Sequence, residues 1–249
     1  MVEVDGQLRR AVAAGDAAAA LIHLDELLRL AEASSSPDIA PRCLLAVGHA
    51  APVLASCDGL EVRRLADAVV RLVEPWFGAP IDEFAEVAEG ARHAALHPLM
   101  LAAARAGDFE TCLIVRDLED RANERCFERW AREGIASSPG SHSLYPSAYG
   151  TRQLVELMAL KSAFAKVPSL LDKLSILTAR FQGDTDQEVA DAFASEEVAV
   201  LAAVLSAPAP PEFAQRCRER CAAIAAFAVP EADWPRTRTK LAVVGGARP

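Results

Sequence analysis

Apolar residues along this chain recur at steps of three and four. Leu21, Leu24, Leu27, Leu28 and Ala31 form one such stripe, and Leu65, Val69, Leu72 and Val73 form another. That period places side chains on one face of a helix, and no segment alternates apolar and polar residues over strand length. The pattern predicts helices over 3–14, 16–33, 39–56, 58–77 and 107–133, with one more that starts at Asp82 and is split by Pro98. Pro52 kinks or divides the third of these, because its ring displaces the carbonyl four residues back. Further helices are expected over 151–166, 168–182, 185–206 and 211–228. Residues 134–150, dense in Gly, Ser and Pro, lack the helical period and read as a loop. From Val229 onward, Pro230, Pro235 and two glycines predict an irregular tail.

The expected architecture is therefore all-α: stacked antiparallel helical hairpins, either a short α-solenoid or an irregular helical bundle. Residues 1–228 read as a single all-helical domain, with the 134–150 loop as the place where it could subdivide, and 229–249 as the tail. Composition agrees. Of 249 residues, 52% are hydrophobic and 24% charged, and alanine is about a fifth of the chain. A length of this order buries a sizeable core. Lys supplies four of the 26 basic residues, a bias that a GC-rich genome produces.

The formal net charge of -9 excludes a general nucleic-acid binder, because phosphate affinity comes from clustered Lys and Arg. No stretch reaches the roughly 18 apolar residues of a membrane span, and the polar start lacks the apolar run of a secretory signal. Six cysteines scattered without CxxC spacing fit reduced thiols in a cytoplasm rather than a disulfide framework. Localisation is expected to be cytoplasmic, with no membrane and no nucleic acid among the partners.

Two strings align without gaps: Ala14-Gly15-Asp16-Ala17-Ala18-Ala19-Ala20-Leu21-Ile22 and Ala106-Gly107-Asp108-Phe109-Glu110-Thr111-Cys112-Leu113-Ile114. Asp25 and Asp117 fall at the same offset in each. Their content is a tight turn between helices, where Gly ends one helix and Asp caps the next. The string around Phe109 and Cys112 resembles the second-helix half of a tetratricopeptide-type repeat, whose turn reads Gly-Asp-aromatic with a small residue three positions on. The copies stand 92 residues apart, against about 34 in that family, and neither has its closing proline. The resemblance implies stacked helical hairpins and a partner-binding surface.

Few groupings suggest chemistry. His93 and His97 are four apart and share one face of a regular helix, the spacing at which two imidazoles reach one divalent metal. Ala94 stands where an HExxH protease has its glutamate, and histidines at a helix surface or in ordinary hydrogen bonds are the favoured reading of the pair. Cys217 and Cys221, flanked by Arg216, Arg218 and Arg220, invite a lowered thiol pKa; buried thiols facing the core are the competing reading. The 134–150 loop holds His142 and both tyrosines, Tyr145 and Tyr149, a residue type that offers wide contact at small entropic cost. Asp184, Asp186, Glu188, Asp191, Glu196 and Glu197 lie in a stretch without Lys or Arg, either a solvated helix start or a surface for a cationic partner. The dense charges over 116–125 read as a solvated helix face laced with ion pairs.

These observations point to a non-catalytic binding protein that acts through a helical surface, an adaptor or an inhibitor of immunity type. Its protein partner is expected to be basic, and the binding residues are expected to be His142, Tyr145, Tyr149, Asp184, Asp186, Glu188 and Asp191. No cofactor is implied. The alternative is a metal- or small-ligand-binding helical protein, an enzyme included, that uses His93 and His97.

Overall fold

Asp16 illustrates how local sequence sets the helix boundaries. Its carboxylate accepts the Ala19 N–H at 3.0 Å, and the preceding Gly15 turns the chain at φ 69°. Glycine reaches that left-handed region without a Cβ clash. Gly107, at φ 83°, and Asp108 repeat the device, with Asp108 Oδ1 accepting the Thr111 N–H at 3.1 Å. The N–H groups of Asp16 and Asp108 each reach back to a carbonyl of the preceding helix, on Ala11 and Ala103, at 2.9 Å. The two aligned strings thus form the same helix-ending turn.

The structure is a computed structural model that describes residues 2–34, 39–78, 80, 91–133, 138–181, 187–227 and 234–246. The side chains of 91–93, 126, 127, 130, 138–147, 245 and 246 lie outside that description, as do the expected helix start at Asp82 and the acids Asp184 and Asp186. Every regular element among the described residues is helical. The chain divides into two compact units, Met1–Gly134 and Ile135–Pro249.

The first unit contains α1 (Val2–Ala13), α2 (Ala17–Glu32), α3 (Ile39–His49), α4 (Ala51–Leu54), α5 (Gly59–Val73), α6 (His97–Ala106) and α7 (Phe109–Glu133). The break before α4 falls at Ala50, where Pro52 takes a first-turn position that needs no N–H donor. Asp58 and Glu61 form a reciprocal capping box at the start of α5. Cross-helix ion pairs give the stacking direction. Arg64 pairs with Asp25 at 2.6 Å and Arg71 with Glu32 at 3.0 Å, so α5 runs parallel to α2. Arg63 meets Asp108 at 3.2 Å and Glu74 meets Arg121 at 2.8 Å, so α7 runs parallel to α5. The other row consists of α1, α3 and a π-helical turn, Ala91–Leu96, that leads into α6. Three stacked hairpins result, sealed by Leu8, Leu24, Leu44, Leu65 and Leu99, all fully buried.

One expectation for α7 fails. Arg116 and Glu119 are buried rather than solvated, because they fall on the stripe that runs through Cys112, Val115 and Ala122. Arg116 pairs with Glu119 at 2.8 Å and with Asp120 at 2.9 Å, so the ion pairs exist but two of their members lie inside.

The second unit contains α8 (Ser138–Leu160), α9 (Val167–Phe181), α10 (Gln187–Ser206), α11 (Pro211–Phe227) and α12 (Pro235–Gly246). Here two expectations are corrected. The 134–150 stretch is helical from Ser138, where α8 begins. Pro139 falls in the first turn, where it costs nothing, and packing of Ala148, Thr151, Leu154, Val155 and Met158 overrides the poor helix propensity upstream. The tail is not irregular throughout, because α12 forms with Pro235 as its first residue. Helix α10 lies at the centre, packed by α8, α9, α11 and α12, and is buried almost all round from Val189 to Val198. Phe181 stacks on Phe193 at 4.5 Å between ring centroids.

Far-ultraviolet circular dichroism is expected to report helix well above the third of residues typical of globular proteins. A strand-dominated spectrum contradicts this fold. Asp108→Ala is expected to cost on the order of 1 kcal/mol, as loss of an N-cap does. Burial works to raise the Asp108 carboxyl, but the Thr111 hydroxyl and N–H and the Arg63 guanidinium outweigh it and hold it below its ordinary value. A depressed folded-state pKa contributes stability that is complete above the unfolded value of about 3.9 and lost as pH falls through the folded one. Denaturation of wild type and Asp108→Ala should therefore differ more at pH 7 than at pH 3.

Candidate functional site

Three carboxylates of the acidic run turn inward. Asp191 is buried, and its two carboxylate oxygens accept the backbone N–H groups of Thr237 at 2.8 Å and Arg236 at 2.9 Å. It therefore caps α12 from another helix. Glu196 pairs with Arg152 at 3.0 Å and Lys240 at 3.4 Å. Glu197, with no exposed surface, takes both Arg220 nitrogens at 2.6 and 3.0 Å and the Ser175 hydroxyl. Three carboxylates of one helix thus tie down four neighbours. Glu188 is exposed and pairs with Arg236 at 3.0 Å. Asp191 is withdrawn from the binding residues, since its oxygens are engaged inside the unit.

Tyr149 is half-buried on α8. The Arg152 guanidinium lies 4.7 Å over its ring, and its hydroxyl accepts a hydrogen bond from Gln153 at 3.1 Å. Its ring and hydroxyl serve their own helix. His142 and Tyr145 lie on α8, and their side chains are outside the described residues.

His93 lies in the π-helical stretch Ala91–Leu96 with its side chain outside the described residues, and His97 opens α6. Among the described residues no three His, Cys, Asp or Glu side chains form a group able to hold a metal. The cysteine pair on α11 reads as buried thiols. Burial pushes the thiols of Cys217 and Cys221 up to about 11; for Cys217, Arg216 and Arg218 pull the other way but more weakly. Burial raises Cys43 and Cys57 to about 11 as well. At pH 8 such a thiol is thiolate about one part in a thousand, so these four should resist a disulfide reagent until the protein is unfolded. Fast labelling of Cys217 in the native protein would reverse that reading.

Described residues of the first unit line two open concavities. One, of about 190 Å³, lies over Leu27 between α1 and α3, with Asp5 and Arg9 on one wall and Arg42 and His49 on the other. The larger, about 340 Å³, runs between the parallel helices α5 and α7. Its floor is Val70, Leu113, Ile114 and Leu118, and its rim is Glu74, Asp117 and Arg121. Arg121 is held in place there: it donates to both Glu74 oxygens at 2.8 and 2.9 Å and lies 4.0 Å over the Phe77 ring. The hydrogen bonds from Arg121 keep the Glu74 carboxyl below its ordinary value. An apolar centre with a charged rim is the anatomy of a protein interface.

No known family, curated protein or solved structure matches this chain. The site therefore rests on its own geometry. None of the groove residues was among the expected binding residues. A signal for them existed in Ile114, an apolar residue on the polar side of α7 that remains 48% exposed.

Proposed function

We propose that this protein is a non-catalytic binding protein of the cytoplasm, an adaptor or an inhibitor of immunity type, that engages a protein partner through the helical surface of its first unit. The observation that carries the reading is the α5–α7 groove, with an exposed isoleucine at its centre and an ion pair fixed at its rim. Preset side chains lose little entropy on binding, which favours recognition by a rigid surface. Cys43, Cys57, Cys112, Cys217 and Cys221 stand as thiols, which supports a reducing compartment.

The test is a photo-crosslinking amino acid placed at Ile114, with the more exposed Ile176 of α9 as the reference position. Illumination in the source cell is expected to give one discrete protein adduct at position 114 and none at 176. Adducts at neither position, or the same adducts at both, would overturn the reading.

A further inference from the structure

The smaller concavity, between α1 and α3, carries a charge surplus of its own. Val2, Asp5 and Arg9 recur at three- and four-residue steps on α1, and Arg42, Leu45, Ala46 and His49 do so on α3. One face of each helix therefore lines the space above Leu27. The lining charges can be paired off one by one. Asp5 is satisfied by Arg9, whose Nε lies 3.0 Å from its carboxylate. The Cys43 thiol is buried, donates to the Leu27 carbonyl at 3.4 Å and is held neutral, because burial and the Asp5 charge push it up to about 11. Arg42 and His49 are exposed, and neither has a hydrogen bond or an ion pair among the described residues. The concavity thus holds one permanent positive charge that no described residue lining it offsets, in a chain of net charge -9.

Between Arg42 and His49 the α3 face is apolar. Leu45 and Ala46 stand there, with Leu27 and Val2 also lining the space. Leu45 is 49% exposed and Val2 83%, so both leave hydrocarbon surface in water. The volume of about 190 Å³ exceeds the roughly 150 Å³ that accommodates a benzene ring, which matches a body of about six to eight carbons. A single carboxylate takes both donors of a guanidinium fork, whereas a doubly charged group would find one unpaired arginine and the Asp5 carboxylate beside it.

We infer that this concavity binds a small apolar monocarboxylate, with the carboxylate paired to Arg42 and the hydrocarbon body over Leu27, Leu45 and Ala46. Charge selects the ligand and apolar burial holds it. The site is lined by none of the residues of the α5–α7 groove, so it stands or falls apart from the partner-binding reading.

The experiment titrates the whole protein with octanoate, octylamine, octanol and acetate by isothermal titration calorimetry. Octanoate is expected to saturate a single site and to bind at least tenfold more tightly than each of the others. Arg42→Gln should weaken octanoate at least tenfold and change octanol less than twofold. Arg29→Gln removes an exposed arginine of α2 outside the concavity, and it should change octanoate less than twofold. Arg42→Glu should lose octanoate and gain octylamine, a reversal that a misfolded protein cannot show. Octanol or octylamine bound as tightly as octanoate would show that the charge selects nothing, and acetate bound as tightly would show that the apolar wall does not contribute. Either result overturns the inference, as do equal effects of Arg42→Gln and Arg29→Gln or the absence of saturable octanoate binding.

Discussion

Gly48→Ala is expected to destabilise the first unit, although alanine is the better helix former by about 1 kcal/mol. A Cβ built on Gly48 would sit 2.5 Å from the Ala94 carbonyl oxygen and 3.0 Å from the Ala94 Cβ. The obstacle is backbone, so no rotamer change relieves it. Ala94 belongs to the π-helical turn Ala91–Leu96 that leads into α6, so its carbonyl cannot move without that turn. Forcing α3 away from this turn is an overpacking change of about 1–3 kcal/mol, which exceeds the propensity gain at all but its lower end. Gly6→Ala is the control, because a Cβ there meets only the Arg10 guanidinium at 3.7 Å. Chemical denaturation should show Gly48→Ala less stable than wild type and Gly6→Ala equal or more stable. Hydrogen exchange should localise the loss to peptides from α3 and α6. If both variants behave alike, the close approach at Gly48 is wrong.

The second large effect concerns the buried carboxylates of α10. Arg220→Ala should cost on the order of 3–5 kcal/mol, the range for breaking a buried pair by removing one member. Glu197 has no exposed surface and would keep only the Ser175 hydroxyl. The reciprocal Glu197→Ala should cost less, because the Arg220 side chain is 29% exposed and can reach water. Replacing both by leucine should recover most of the loss, since an apolar pair of similar volume is often neutral in such a position. Denaturation of wild type, the two alanine variants and their Arg220→Ala/Glu197→Ala combination makes a double-mutant cycle, with exchange in α9, α10 and α11 confirming where the change lies. Additive losses would show that the pair is not a coupled unit.

Helix placement from α1 to α5, and at α7, was legible before any tertiary contact was known. The stripes through Leu24 and Leu65, the Asp16 and Asp108 caps and the break at Pro52 all depend on groups within four residues of one another. Interactions of that range are written into the local sequence, and so the all-α hairpin architecture followed from it. Burial was not legible in the same way. Asp191, Glu196 and Glu197 lack local counter-charges, and they are buried because Arg152, Arg220 and Lys240 arrive from other helices. Helix α12 takes its cap from Asp191, 45 residues upstream of Arg236. Helix α8 forms across a segment of poor propensity because its second half is packed. The candidate groove belongs to the same class, since neither α5 nor α7 contains it alone. Charge pairing, capping in trans and concavity depend on which helix lies opposite, and that was decided by the packing of the folded chain.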